Sequence, residues 1–252
     1  MLADSIRGIV AQSLFTRADG QGRVAAFEIM KGTKAIANLV SMEDGERIAS
    51  MLAVKEFDEN KLGQTQGDGV RFATGLRQML AITWGGDALY VAMNSRDSMD
   101  TLWPGMFTAK ENAERPAEPL FRAEKAGVNF GWPYCFFDYG QKKFLLNPEY
   151  GGDGKTVGRC TEFTPPVAGY PAHWAPMALG FYAGNQFPAK YRNGVFIVFH
   201  GSWNRAPEPQ GGYNVTFQPL SNGKAAGDFE IFAGGFAGKT PLMNPGDALA
   251  RP

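Results

Sequence analysis

The feature that most limits what this chain can fold into is a series of short apolar runs, each fenced by Gly, Pro, Asn or Asp. They read GVRFATG, MLAITW, DALYVAMN, APMALGFYAG, NGVFIVFHGS, GYNVTFQPL and DFEIFAGGF. None has the length or period of a helix, and several alternate apolar with polar, as half-buried strands do. The 32 glycines and 16 prolines supply the turns between them. Short strands at regular spacing predict a mainly-β architecture: a sandwich, a barrel or a propeller. No Trp-Asp dipeptide recurs to choose among these. The polar segment 108–118, TAKENAERPAE, is predicted to be a helical excursion.

The first forty residues read differently. Leu2, Ile6, Ile9, Val10 and Leu14 follow helical spacing, Asp19-Gly20 interrupts, and residues 22–30 predict a strand. Thr33 then stands where an N-cap would open a short helix over KAIANLV. The expectation is a helix–strand–helix segment, with a boundary near residues 41–60.

Twenty-five basic residues balance 25 acidic ones, so no global field draws the chain to nucleic acid. No apolar run is long enough to span a bilayer, and the N-terminus lacks the basic and apolar regions of a signal peptide. Cys135 and Cys160 read either as two buried thiols or as one disulfide closing a polar, Gly-rich loop. With only His173 and His200 beside them, they have no zinc spacing.

The densest chemistry lies in IVFHGSWNRAP, where a strand runs into His200, Ser202, Trp203, Asn204 and Arg205. One reading is a strand leaving the core with Trp203 packed over it. The other is a cofactor wall: a flat indole for stacking, with Asn204 and Arg205 donating to an anionic acceptor. Arg77 and Gln78 sit at another strand end, where a lone arginine is either a solvated charge or a ligand contact. The segment NFGWPYCFFDYG is rich in carbonyls with Asp138 as its one carboxylate, which suits either a Pro-kinked loop or a calcium ligand set. EYGGDGK lacks the spacing of a phosphate-binding loop. His200 and Ser202 stand two residues apart, which does not by itself make a nucleophile–base pair.

From about residue 57 onward the pieces DGVRFATGLRQ, NSRDSMDTLWP, NFGWPYC, PEYGGDGKTVGRC, PAHWAP, FYAGNQFPAKYRNGVFIVFHGSWNRAP and QGGYNVTFQP, with the closing ARP, resemble the glucose/sorbosone dehydrogenase family, on its sorbosone dehydrogenase-like branch. That resemblance implies a six-bladed β-propeller holding pyrroloquinoline quinone (PQQ) and Ca²⁺. It implies oxidation of a sugar or aldehyde carbon with hydride transfer to the quinone, and electrons passed on to a cytochrome or dye. Cofactor contacts carried over are Arg77, Gln78, Trp174, Trp203, Asn204, Arg205 and Arg251. Calcium ligands would come from the turn at 95–97, Glu118, Phe130 and Asp138. A Cys135–Cys160 bridge would fit the periplasm in which the family works, whereas a chain made as given, with no export signal, would stay in the cytoplasm.

The first forty residues, through the pattern GRVAAFEIM.GT.AI.NL, resemble a late segment of type IV pilus retraction (twitching motility) ATPases, without a nucleotide site. The expected organisation is therefore a pilus-ATPase-like piece over 1–40, a junction over 41–56, and a partial dehydrogenase propeller over 57–252. At roughly 40–50 residues per blade the last part supplies about four blades. Open blade edges would favour self-association. The family's catalytic histidine segment has no counterpart, so no catalytic residue is assigned, and His200 is weighed only as a replacement base. The alternatives are a non-catalytic propeller fragment that binds calcium or quinone, and a pilus-motor fragment.

Overall fold

The computed structural model describes residues 8–16, 23–31 and 72–252. The chain divides into two compact units, Met1–Val70 and Arg71–Pro252.

In the first unit β1 (Gly8–Thr16) pairs antiparallel with β2 (Arg23–Lys31), in register from Gly8↔Lys31 to Thr16↔Arg23. The strand expected over 22–30 is present. The helix expected over 2–14 is not, because residues 8–16 are extended. Ile9, Val10 and Thr16 are β-branched and favour the extended state, and the ladder bonds to a partner strand override a weak helical period. The short helix expected after Thr33 and the junction at 41–56 lie outside the described residues.

The second unit is mainly β, as expected. Its first sheet contains β4 (Gln78–Gly85), β5 (Ala88–Asn94), β6 (Glu118–Ala123) and β10 (Ala168–Tyr170) in the order β10-β6-β5-β4, every neighbouring pair antiparallel. β4 and β5 are joined through Gly86-Asp87, and Gly86 takes a left-handed φ of 67° that its missing Cβ permits. The second sheet contains β11 (Pro176–Phe181), β12 (Gly194–Phe199), β13 (Asn214–Ser221) and β15 (Glu230–Ala233), with the short β14 (Lys224–Ala225) on the end of β13.

These two sheets share a core. Ala81, Tyr90, Ala92, Leu120 and Tyr170 of the first pack with Val195, Ile197 and Phe199 of the second. Alternation in β12 sends those three side chains to one face, and each contributes about 1.5–3 kcal/mol by leaving water.

Between β5 and β6 the chain makes two short helices, α1 (Met99–Leu102) and α2 (Ala109–Glu114). α2 is the helix expected within 108–118. Thr108 and Glu111 form a capping box: the Glu111 N–H donates to Thr108 Oγ1 at 3.2 Å, and the Thr108 N–H donates to Glu111 Oε2 at 2.9 Å. Arg115 still has helical angles and donates its N–H to Glu111 O, but Pro116 has no N–H to continue the ladder, so the helix ends there and Glu118 opens β6.

Between β6 and β10 lie β7 (Val128–Asn129), β8 (Cys135–Asp138) and β9 (Lys143–Leu146). β7 pairs in parallel with β3 (Ala73–Thr74), and β8 pairs antiparallel with β9. Cys135 and Cys160 are joined by a disulfide with Cα atoms 5.9 Å apart, buried with Leu146 and Phe163. No helix among the described residues is long and apolar enough to cross a membrane.

Candidate functional site

The antiparallel registers bring the start of β4, the end of β5 and the start of β6 to one end of the first sheet. The start of β11 and the end of β12 meet at one end of the second. Asn94, the last residue of β5, donates from Nδ2 to Pro176 O at 3.4 Å and ties the two ends together. A cavity of about 270 Å³ opens there, lined by Arg77, Gln78, Asn94, Ser95, Asp97, Glu118, His173, Ala175, Trp203 and Asn204.

Asp97 is the hub of this cavity. Its Oδ2 accepts from Arg77 Nη2 at 2.9 Å, and its Oδ1 accepts from Asn204 Nδ2 at 2.9 Å and lies 3.1 Å from His173 Nδ1. Burial pushes the Asp97 carboxyl up, but the bond and charge of His173, the Arg77 guanidinium and the Asn204 amide outweigh it and hold the carboxyl below its usual range.

Arg77 also donates through Nη1 to Ser95 O at 2.7 Å and Asn94 O at 3.4 Å. Three of the five N–H groups of its guanidinium are so engaged, and two have no acceptor among the described residues. The other ring nitrogen of His173, Nε2, faces Asn112 O at 2.7 Å. A carbonyl can only accept, so Nε2 donates to it, while Nδ1 lies within reach of both Asp97 Oδ1 and Asn204 Nδ2.

Glu118 is 3% exposed. Its Oε2 accepts from the Ser95 N–H at 2.7 Å, and no cation pairs with it among the described residues. Burial, opposed by the Ser95 bond and the nearby His173, pushes its carboxyl up to about 7.

Two tight pieces of backbone present these groups. His173 and Ala175 both take left-handed φ values, 64° and 59°. They face the cavity while Trp174 between them turns into the core, edge-on to Phe199 at 5.4 Å and Phe229 at 5.8 Å. In the turn after β12, Ser202 is fully buried: its hydroxyl donates to Gln210 Oε1 at 2.7 Å and accepts from the Gly211 N–H at 2.9 Å. That lock projects Trp203 outward, 70% exposed at the cavity rim, rather than packed over the core.

Of the residues singled out from sequence, Arg77, Gln78, Glu118, Trp203 and Asn204 therefore meet at one cavity together with Ser95 and Asp97 of the 95–97 turn, while Trp174, Arg205, Arg251, Phe130 and Asp138 lie elsewhere. Trp174 is core packing. Arg205 donates to Pro209 O and Ala172 O, both at 2.9 Å, and to Ala113 O, which fastens its loop to the end of α2. Arg251 donates to Gly201 O at 3.1 Å and lies 3.1 Å from His200 Nδ1. Burial and then that guanidinium hold His200 below its usual pKa, and His200 does not line the cavity.

Glu118, Phe130 and Asp138 do not converge as a calcium set. Phe130 is buried against Phe121, with ring centroids 4.5 Å apart. Asp138 accepts from Arg115 Nε at 2.6 Å and from the Gln141 N–H at 2.8 Å. No group of three acidic, His or Cys side chains gathers to hold a metal among the described residues. Asp97 and His173 complete the cavity, and no local spacing marked them as a pair, because their bond joins positions 76 residues apart.

A second hollow, of about 430 Å³, has four glycines in its lining beside Tyr213 and Lys239. Its one charged group, Lys239, is paired with Asp247 at 2.6 Å, so the reactive groups belong to the smaller cavity. There an exposed indole stands beside an incompletely paired guanidinium, three amides and a buried carboxyl. That combination suits a flat, anionic ring together with a hydroxylated molecule.

A family model described as TrAA12-like matches residues 29–230. The chain belongs to the TrAA12-like family. This TrAA12-like chain is 38% identical over 109 residues to an uncharacterized protein of Borreliella burgdorferi, covering 43% of itself and 26% of that protein. It is 27% identical over 121 residues to a pyrroloquinoline quinone-dependent pyranose dehydrogenase of Coprinopsis cinerea, covering 43% of itself and 16% of that enzyme. It thus spans about a quarter or less of the length of these curated relatives. Among solved structures, the calcium structure of Trichoderma reesei Carbohydrate-Active Enzymes Family AA12 is 18% identical, with a TM-score of 0.48, over 96% of this chain and 57% of that one.

Proposed function

We propose that this chain oxidises a small sugar or aldehyde with pyrroloquinoline quinone bound in the cavity against Trp203. The observation that carries the reading is the 70%-exposed indole of Trp203 at the rim of a cavity that holds Arg77, Gln78, Asn204 and Glu118. The Coprinopsis enzyme, by name a quinone-dependent pyranose dehydrogenase, points the same way.

Each residue has a definable task. Trp203 offers a face for a planar ring, and the two unengaged N–H groups of Arg77 suit a carboxylate. Gln78 donates at its edge, and Asn204, whose amide N–H groups face Asp97 and His173, offers its Oδ1 as an acceptor. Bound there, the quinone supplies the acceptor for the hydride that leaves the sugar carbon. Glu118, the cavity carboxyl with no cation partner among the described residues, takes the proton from the sugar hydroxyl. A cyclic hemiacetal losing that hydride and that proton becomes a lactone. Calcium has no convergent ligand set among the described residues, and no step is assigned to it.

Sorbosone and simple aldoses are the substrates to try, with a cytochrome or dye as electron acceptor. The six-bladed propeller and its tendency to self-associate belong to the same proposal. The buried Cys135–Cys160 disulfide supports an oxidising compartment such as the periplasm. Residues 1–40 and the junction at 41–56 are given no part in the reaction.

The test is dye-linked oxidation of aldoses and sorbosone after reconstitution with PQQ. Turnover that depends on the quinone supports the reading, and none above background removes it. A second reading, quinone binding without turnover, is favoured by one observation: both ring nitrogens of His173, the cavity's histidine, are already engaged. Calorimetric PQQ binding in a preparation without activity would select that reading.

A further inference from the structure

Three of the cavity's recognition groups arrive on three separate stretches of chain. Arg77 stands just before β4, His173 just before β11, and Asn204 in the turn after β12. They are 20, 76 and 107 residues from Asp97 in sequence, yet all three contact its one carboxylate. The two oxygens divide the work: Oδ2 takes the guanidinium, and Oδ1 lies against the amide and the imidazole. On their far side, two successive carbonyls of α2 back the same wall, Asn112 O at His173 Nε2 and Ala113 O at Arg205 Nη1. The wall is therefore clamped from behind by α2 and from within the cavity by Asp97.

We propose that Asp97 is the positioning residue of the cavity, whose carboxylate holds Arg77, His173 and Asn204 in the single arrangement that leaves two Arg77 N–H groups and the Trp203 face open to a ligand. The side chain remains 37% exposed, so its task is orientation at the cavity wall rather than support of the core. Without it, the Arg77 fork keeps only the Asn94 and Ser95 carbonyls, and Asn204 keeps only His173 Nδ1 at 3.4 Å. The inference takes its ligand from the quinone reading above and can be tested apart from it.

The experiment compares wild type, Asp97→Ala and Asp97→Asn by two measurements on the full chain: hydrogen exchange of the ligand-free protein, and calorimetric titration with PQQ. In Asp97→Ala, exchange should quicken in peptides around Arg77, His173 and Asn204 while the strands of both sheets stay protected. PQQ affinity should fall by roughly 10–100-fold, the size of effect seen when groups that orient a binding shell are removed. Asp97→Asn keeps an oxygen for Asn204 but loses the charge facing Arg77, so it should recover part of both effects. Unchanged exchange in Asp97→Ala overturns the proposal whatever the quinone does. So does slackening spread evenly over both sheets, or PQQ affinity equal to wild type. Local loosening in Asp97→Ala, alongside a wild type that binds no PQQ, upholds Asp97 as the hub and removes the quinone reading instead.

Discussion

Asp138 and Glu118 are both buried carboxylates, and they have opposite surroundings. Asp138, at the end of β8, is held by Arg115 Nε at 2.6 Å and by the backbone and side chain of Gln141. Its neighbourhood is closed by the disulfide and by the cluster of Met99, Phe107, Phe136 and Leu145. Glu118, at the start of β6, has the Ser95 N–H and a cavity, but no cation among the described residues. A charge in a low-dielectric interior needs a partner or must become neutral. Where the fold supplies the partner, the carboxylate is structural fabric. Where it supplies a cavity, the carboxyl is left able to exchange a proton near neutrality.

The sharpest way to break this contrast is Arg115→Ala, which strands Asp138. Urea unfolding at neutral pH should show a loss of about 3–5 kcal/mol. A loss below about 1 kcal/mol would mean that Asp138 needs its cation no more than Glu118 does. Replacing Cys135 and Cys160 together by alanine should cost about 2–4 kcal/mol in the same region, read as a lower thermal midpoint.

At the other carboxyl the sign reverses. Folding raises the Glu118 pKa to about 7, so its contribution is fully present below the ordinary carboxylate range and is lost as pH rises through 7. Glu118→Gln removes that loss. The variant should gain about 3 kcal/mol over wild type at pH 8 and almost nothing near pH 4. Destabilisation at pH 8 would show that the ionised form has a partner. The smallest effect belongs to Trp203→Ala, which should leave stability within about 0.5 kcal/mol because nothing rests on the indole, while abolishing its part in quinone binding.

The strands of both sheets were legible where apolar residues alternate between turn formers, as in VFIVF of β12 and LYVAM of β5. β6 was hidden because Pro116 and Pro119 flank Glu118 and read as irregular chain, although Leu120 and Phe121 are core residues. The strand β1 was misread because Ile9, Val10 and Leu14 fit a helical period while the partner that decides the matter lies across a reversal of the chain. At the cavity, Arg77, Gln78, Trp203 and Asn204 stood out because they end strands, where loops collect recognition groups. Asp97 and His173 did not stand out as a pair, since their meaning lies in bonds that span 76 and 107 residues. Arg205 has the right chemistry for an anion, yet backbone carbonyls already claim its donors, and only tertiary structure can reveal that.

The buried Ser202 lock has an optical consequence. Of the five tryptophans, only Trp203 is exposed, while Trp84, Trp103, Trp132 and Trp174 are at least partly covered. A water-borne collisional quencher such as iodide therefore meets one indole far more often than the other four. The red edge of the emission spectrum becomes a built-in gauge of the cavity mouth, bright or dim according to whether that mouth is open or filled.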